Sequence, residues 1–295
     1  MTAMSIKADQ LSLKLGKNKI IKDITFELEG GKIYGLLGRN GAGKTTLLSL
    51  LAAFNKPTGG RITVDGEDTF ENRKMMESIM FVRDVKRDDE TETVKKWMEG
   101  PEEFRPNFDR PYADDLVRRF KLPLDQQVNK LSRGMQSALS VIVGLASRAP
   151  ITIFDEAYLG MDAPARKLFY DEVLQDYMKH PRTIILSTHL ISEMDSLFEE
   201  VVMLQEGSML LHESAEELSA RGTTVTGQKE NVDRFIEGKK VLNNQVLGAT
   251  KSAMVYGEIT DNDRKAAGAL QLELGQMALQ DLFIYLTEEE NHDRQ

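Results

Sequence analysis

The 295 residues carry 41% hydrophobic and 29% charged side chains, the balance of a folded globule, and the length fits one large domain or two modest ones. Forty-seven acids against 38 bases leave a net charge of −9, which argues against a nucleic-acid-coating protein because phosphate backbones are bound through clustered Lys and Arg. There is no cysteine, so disulfides, thiolate zinc sites and thiol catalysis are excluded, and no apolar run reaches the roughly 18–20 residues of a membrane-spanning helix.

The first elements are predicted as half-buried strands, from the alternation of Ile6, Ala8, Leu11, Leu13 and Leu15 and then of Ile24, Phe26 and Leu28, closed by Gly30-Gly31. The short apolar run 33–37 predicts a buried parallel strand that enters a glycine-rich loop and a helix over 45–54. A strand over 61–64 follows the break at Pro57-Thr-Gly-Gly60. The stretch 86–129 is highly charged and proline-bearing, and predicts a helical insertion whose extent, with the helix after it, is about 85–148. Alternation then returns: helix 134–147, strand 151–154, helix 163–179, strand 183–187, helix 191–198, strand 201–204. Strands and helices taking turns imply a parallel sheet with helices on both faces. Beyond Gly222 the character changes to a small α+β appendage, with strands over 223–226 and 253–256 and helices over 231–236 and 279–286. The acidic tail 288–295 is expected to fray. The N-terminus has no basic-then-apolar leader pattern, so the chain is expected to work inside the cell, with any membrane role carried by a partner.

Gly38-Arg-Asn-Gly-Ala-Gly-Lys-Thr45 fits G-x-x-x-x-G-K-[ST] without mismatch, between a buried strand and a helix. Its glycines let successive amides turn toward phosphate oxygens, and the helix adds its positive end. Lys44 offers a point charge to terminal phosphates, and the Thr45 hydroxyl is a hard oxygen ligand suited to Mg²⁺. Ile151-Thr-Ile-Phe-Asp-Glu156 is an apolar strand ending in two acids, where Asp155 suits a cation and Glu156 suits polarising an attacking water. Leu131-Ser-Arg-Gly-Met135 opens a helix with Ser132 at the cap and Gly134 permitting close backbone approach. On its own it reads as a plain cap; it gains a phosphate role only if two chains meet face to face.

Taken in order with Ser187-Thr-His189, these motifs resemble the nucleotide-binding subunit of an ABC transporter over about 4–222, leaving 223–295 as an accessory domain. The resemblance implies a P-loop NTPase fold with a RecA-like parallel core sheet, an N-terminal antiparallel β subdomain, an inserted helical subdomain and a small α+β C-terminal appendage. It implies ATP and Mg²⁺, with ATP contacts from Gly38, Arg39, Asn40, Gly41, Ala42, Gly43, Lys44, Thr45, Thr46 and Leu15 of one chain. Ser132 and Gly134 would come from a second ATP-binding subunit, the same chain or a paralogue, in a head-to-tail pair. The implied roles are catalytic for Lys44, Glu156 and His189, magnesium-binding for Thr45 and Asp155, and interfacial for Asp162 in Leu159-Gly-Met-Asp162. It further implies a separately encoded membrane permease, docked on the helical insertion; Trp97, Met98 and Phe104 are candidate contacts, against the favoured reading that they pack as a satellite core within the insertion. The expected location is cytoplasmic, on the inner face of the membrane, with no nucleic-acid partner.

Four positions depart from the family pattern. Asp84 stands where a magnesium-contacting Gln is usual, which keeps a ligand but adds a negative charge; Arg83, Lys86 and Arg87 are nearby cations able to offset it. Leu15 replaces an adenine-stacking aromatic, Arg133 replaces a signature glycine with phosphate or solvent open to it, and Ala157 replaces a proline. Two other readings stay open: a non-transport ATPase of the same superfamily, and a catalytically slow ATP-gated regulatory module, for which Asp84 is the sequence hint.

Overall fold

A computed structural model describes residues 3–292, with side chains through 288. In chain order, β1 (Ile6–Leu15), β2 (Asn18–Leu28), β3 (Ile33–Gly38), α1 (Lys44–Leu51), β4 (Gly59–Val64), β5 (Glu67–Asp68), α2 (Arg73–Ser78) and β6 (Ile79–Arg83) come first. The helical segment α3 (Val94–Trp97), α4 (Glu99–Phe104), α5 (Arg110–Arg119) and α6 (Arg133–Ala146) follows, then β7 (Ile151–Asp155), α7 (Ala163–Lys179) and β8 (Thr183–Ser187). After α8 (Ile191–Met194) come β9 (Glu200–Gln205) and β10 (Ser208–Ser214).

Among the described residues, β2-β1-β4-β5 form an antiparallel sheet and β10-β9-β3-β8-β7-β6 a second sheet, in which β3 runs parallel to β8 and β9, and β7 parallel to β8 and β6. Every residue of β3, β7 and β8 is buried, which is why these strands read as unbroken apolar runs rather than alternations. One core joins the two sheets: Ile6, Leu11 and Ile21 of the antiparallel layer pack with Leu47 and Leu48 of α1 and with Ile151 and Ile153 of β7. The inserted helices lie between β6 and β7 in sequence, and α6 buries Leu139, Val141, Ile142 and Leu145 completely. Gly144 lets α6 approach the sheet; a Cβ there would sit 2.5 Å from Val82 Cγ2.

The chain divides into two compact units, Met1–His189 with Ser196–His212, and Leu190–Asp195 with Glu213–Gln295. The sequence predicts a division after Gly222, with the helix near Ile191 in the first part. The reason for the difference is packing: α8 meets the last helix, and α9 (Ala215–Ala220) meets both that helix and the first strand of the appendage. The second unit continues with β11 (Gly222–Gln228), α10 (Lys229–Ile236), β12 (Lys240–Leu247), β13 (Thr250–Tyr256), α11 (Asp261–Ala269), β14 (Glu273–Gln276) and α12 (Leu279–His292). Its antiparallel order β12-β13-β11-β14 with a β-α-β-β-α-β sequence is the ferredoxin-like arrangement. Val225, Val232, Phe235, Ala253, Val255, Ala267 and Leu272 form its core. The tail expected to fray is instead helical as far as His292, within α12, while 293–295 lie outside the described residues.

Candidate functional site

The glycine-rich loop leaves the end of β3 and re-enters the chain at α1. Gly41 (φ 83°) and Gly43 (φ 103°) take left-handed conformations, and Gly43 is the N-cap of α1. The Ala42 amide donates to the Arg39 carbonyl at 3.0 Å, and Arg39, Asn40, Gly41 and Thr45 face solvent, with Thr46 half-buried, while Ala42 is buried. A further glycine braces this loop from outside its own motif. The Gly207 amide donates to the Ala42 carbonyl at 3.0 Å, and a Cβ at Gly207 would lie 2.1 Å from the Ile20 carbonyl oxygen. Sequence reasoning missed this brace, because Glu206-Gly207 between two strands reads only as a turn.

Lys44 is 6% exposed and its Nζ donates to the Gly38 carbonyl at 2.6 Å. Burial pulls its ammonium below the usual lysine range, while the Glu156 and Asp155 charges oppose that fall. Asp155, at the tip of β7, is also 6% exposed. Burial pushes its carboxyl up, and the facing hydroxyls of Thr45 and Ser187 pull it back down. Asp155 Oδ1 and Ser187 Oγ are nevertheless buried without a hydrogen-bond partner. A carboxylate oxygen orphaned between hydroxyls is the donor set of a hard divalent cation. Among the described residues no group of three or more acids and histidines could cage a metal. An ion held at Asp155 would complete its shell with phosphate and water, as Mg²⁺ does on one or two carboxylates.

Glu156 follows the strand in the left-handed region (φ 47°), a conformation uncommon outside glycine. Its Oε1 lies 3.9 Å from Lys44 Nζ and 3.3 Å from His189 Nδ1. Tyr158 steadies the histidine: its hydroxyl is 3.3 Å from His189 Nδ1, accepts from the His189 amide at 3.2 Å and lies 2.8 Å from Thr188 Oγ1. Tyr158 had no assigned role in the sequence reading. Lys44, Thr45, Asp155, Glu156 and His189 thus form one connected group.

Ser132, Gly134 and Asp162 form a second group, each with work inside its own chain. Ser132 caps α6 by accepting from the Met135 amide at 3.3 Å, and Asp162 caps α7 by accepting from the Ala165 amide at 2.9 Å. Gly134 is required by packing, since a Cβ there would lie 2.4 Å from the Gly160 carbonyl oxygen. These residues border a surface cavity of about 530 Å³. Asp84, just after β6, directs its carboxylate to the Arg133 guanidinium of this group. Leu15 stands at the exposed end of β1, 59% accessible.

On the helical segment, Trp97 and Phe104 line a groove of about 420 Å³ with Phe54, Phe81 and Arg105. Phe104 is 74% exposed, whereas Met98 is 1% exposed and belongs to the core, so it drops out as a surface contact. Arg87, also on the groove, stacks over Trp97 at 4.5 Å and donates to Ser140 Oγ at 3.0 Å, leaving its Nε buried without a partner. No helix among the described residues is long and apolar enough to cross a membrane.

Known proteins share this pattern. A family model described as ABC transporter matches residues 21–159. The ABC transporter ATP-binding protein YtrB of Bacillus subtilis is 28% identical over 204 residues, covering 69% of this chain and 70% of that protein. An uncharacterized ABC transporter ATP-binding protein, MJ1023 of Methanocaldococcus jannaschii, is 30% identical over 215 residues, covering 72% and 79%. Among solved structures, an ATP-binding subunit of an ABC transporter superposes with a TM-score of 0.65 at 20% identity, over 72% of this chain and 91% of that one. The dimeric ATP-binding cassette MJ0796, bound to ADP and Pi in a post-hydrolysis state, gives 0.62 at 19% identity, over 71% and 98%. These last two likenesses speak to the fold, a P-loop NTPase core. With the phosphate loop, the acid-tipped strand and the capped signature helix in place, the chain belongs to the ABC transporter family, as one of its ATP-binding proteins.

Proposed function

We propose that this chain hydrolyses ATP at the loop of residues 38–46 and that the cycle drives a separately encoded membrane permease. The observation that carries the reading is the connected group at the end of β7. Asp155 Oδ1 is orphaned beside Thr45 and Ser187, and the Glu156 carboxylate lies within reach of both Lys44 and His189.

Lys44 would exchange its tether to the Gly38 carbonyl for terminal phosphate oxygens, a stronger charge-assisted contact. Thr45 and Asp155 would hold Mg²⁺, which neutralises phosphate charge when bound. Glu156 would orient and accept a proton from the attacking water, and His189, 3.3 Å from the Glu156 carboxylate, would contact the terminal phosphate. Leu15 would give the base apolar contact without stacking.

Within one chain, Ser132, Gly134 and Asp162 belong to the group apart from Lys44, so the reading places two subunits head to tail, identical or paralogous, each completing the other's site. ATP closes such a pair because each triphosphate gathers contacts from both chains, and product departure lets the halves part. The groove beside Phe104 and Trp97 would receive a segment of the permease. Its aromatic lining offers apolar area, and the unpartnered Arg87 Nε offers a donor at its wall. Attachment to the inner face of the membrane would follow from that contact.

Steady-state phosphate release from the purified chain with Mg²⁺ and ATP tests the chemistry. Glu156→Gln should lower turnover by about 10²–10⁴, the usual worth of a positioned general base, with nucleotide binding retained. Equal release by both proteins would remove Glu156 from that role.

A further inference from the structure

The two charged departures from the family pattern meet each other. Asp84 and Arg133 are 49 positions apart, yet Arg133 Nη2 donates to Asp84 Oδ2 across the gap between the loop after β6 and the start of α6. Neither end is loosely placed. Arg133 is the first residue of α6 after the Ser132 cap, and its aliphatic stem lies against Gly160, where a Cβ would fall 2.8 Å from Arg133 Cγ. Gly160 itself has φ +84°, so that neighbour has little freedom to acquire a side chain. At the other end, Arg83 is paired with Asp155 in the β6–β7 register, so the next residue, Asp84, leaves the sheet level with Glu156.

The two arginines closer to Asp84 in sequence are engaged elsewhere. Arg83 stacks on Phe54 at 5.5 Å and Phe81 at 5.9 Å, and Arg87 stacks on Trp97. Of these three arginines, it is Arg133 that holds the carboxylate.

We propose that Arg133 is a positioning residue acting through Asp84. The guanidinium neutralises and turns aside a carboxylate that would otherwise add its charge to the side of the site where a triphosphate sits. It also ties the loop after β6 to the signature helix and to the Leu159–Asp162 segment of the same chain. The two substitutions therefore work as one compensated unit, and an arginine in the signature is required because an acid occupies position 84. This inference rests on the ATPase reading above.

The test is a double-mutant cycle on the full chain, with ATP KM and kcat measured for wild type, Arg133→Gly, Asp84→Gln and the double variant. Arg133→Gly should raise the ATP KM about tenfold at low salt with a smaller change in kcat, a coupling typical of groups in one charged network. Asp84→Gln in the same background should return KM to within about twofold of wild type, and Arg133→Lys should retain most of the wild-type value. Rising salt should narrow the gap between Arg133→Gly and wild type, since the pair is partly exposed. An Arg133→Gly effect that Asp84→Gln leaves unchanged, or no effect at all in a protein of unchanged melting temperature, overturns the inference. If Arg133→Gly fails to fold, the Arg133→Lys and Arg133→Gln variants with and without Asp84→Gln decide the same question by the same rescue. A wild type no faster than Glu156→Gln would overturn the ATPase reading, and this inference with it.

Discussion

The phosphate loop with the end of β7 and the Asp84–Arg133 contact are built by opposite means. In the first region the main chain does the placing: Gly41 and Gly43 set the loop, Gly207 braces it, and two of its charged side chains, Lys44 and Asp155, are buried at 6% exposure each. In the second region two side chains reach across to each other, and the Arg133 side chain remains 62% exposed. Backbone placement in a dry setting fixes chemistry, because moving any one part breaks several main-chain contacts. An exposed ion pair is worth little to stability and is open to exchange, so it can tune a site without rebuilding it. The difference separates what this site does from how readily it does it.

The comparison is broken most severely at Lys44. Lys44→Ala removes a charge-assisted donor, so nucleotide affinity should fall by about 10- to 150-fold, the equivalent of roughly 1.5–3 kcal/mol. Burial disfavours this ammonium, but truncation also leaves the Gly38 carbonyl without its donor, so the nucleotide-free protein should melt close to wild type, within about 1–2 kcal/mol. Calorimetric titration beside a thermal melt checks both halves, and unchanged affinity would remove the loop from the site. Asp155→Asn should come next. A carboxyl whose pKa is raised on folding subtracts stability once the pH exceeds its unfolded value, so the amide should stabilise the nucleotide-free protein by about 1–3 kcal/mol at neutral pH. That gain should fade as the pH falls through the raised folded value toward the usual carboxylate range of about 3.8, where both forms are neutral. Urea unfolding across pH reads it, together with loss of the Mg²⁺ dependence of nucleotide binding. The smallest effect belongs to the brace: Gly207→Ala, with φ +81° and the Ile20 carbonyl 2.1 Å away, should cost about 1–2 kcal/mol, against a milder loss for Gly66→Ala, whose φ is +84° in open space. Equal losses at the two positions would show that the brace carries no packing role.

Much of the first region was legible in the sequence. The phosphate loop is contiguous, its glycines answer to backbone conformation, and the buried runs of β3, β7 and β8 have the unbroken apolar character of strands covered on both faces. Gly207 was not legible as a brace, because its partners Ile20 and Ala42 come from distant turns. Nor was the Asp84–Arg133 pair, since an ion pair between segments leaves no periodicity; the sequence offered Arg83, Lys86 and Arg87 as nearer cations, and aromatic rings hold the two arginines. In the appendage, β12 reads Lys-Val-Leu-Asn-Asn-Gln-Val-Leu with its second half exposed, so the alternation that marks a half-buried strand is missing. β14 is four residues long and mostly exposed, and α11 buries only Ala267. Without those three elements the ferredoxin-like order could not be assembled from the sequence. Of the apolar residues in the charged stretch, the reading as packing within the insertion holds for Met98, which is core, and not for Phe104, which is exposed.

The central claim is that each catalytic centre is completed by a second subunit, with Lys44 and Glu156 from one chain and Ser132 from the other. Light scattering on the Glu156→Gln chain, with and without Mg-ATP, measures this directly. The account predicts a mass that doubles with Mg-ATP and returns to the monomer value when Ser132→Trp blocks the shared face. A mass unmoved by saturating Mg-ATP, alone and with the proposed permease present, would contradict it.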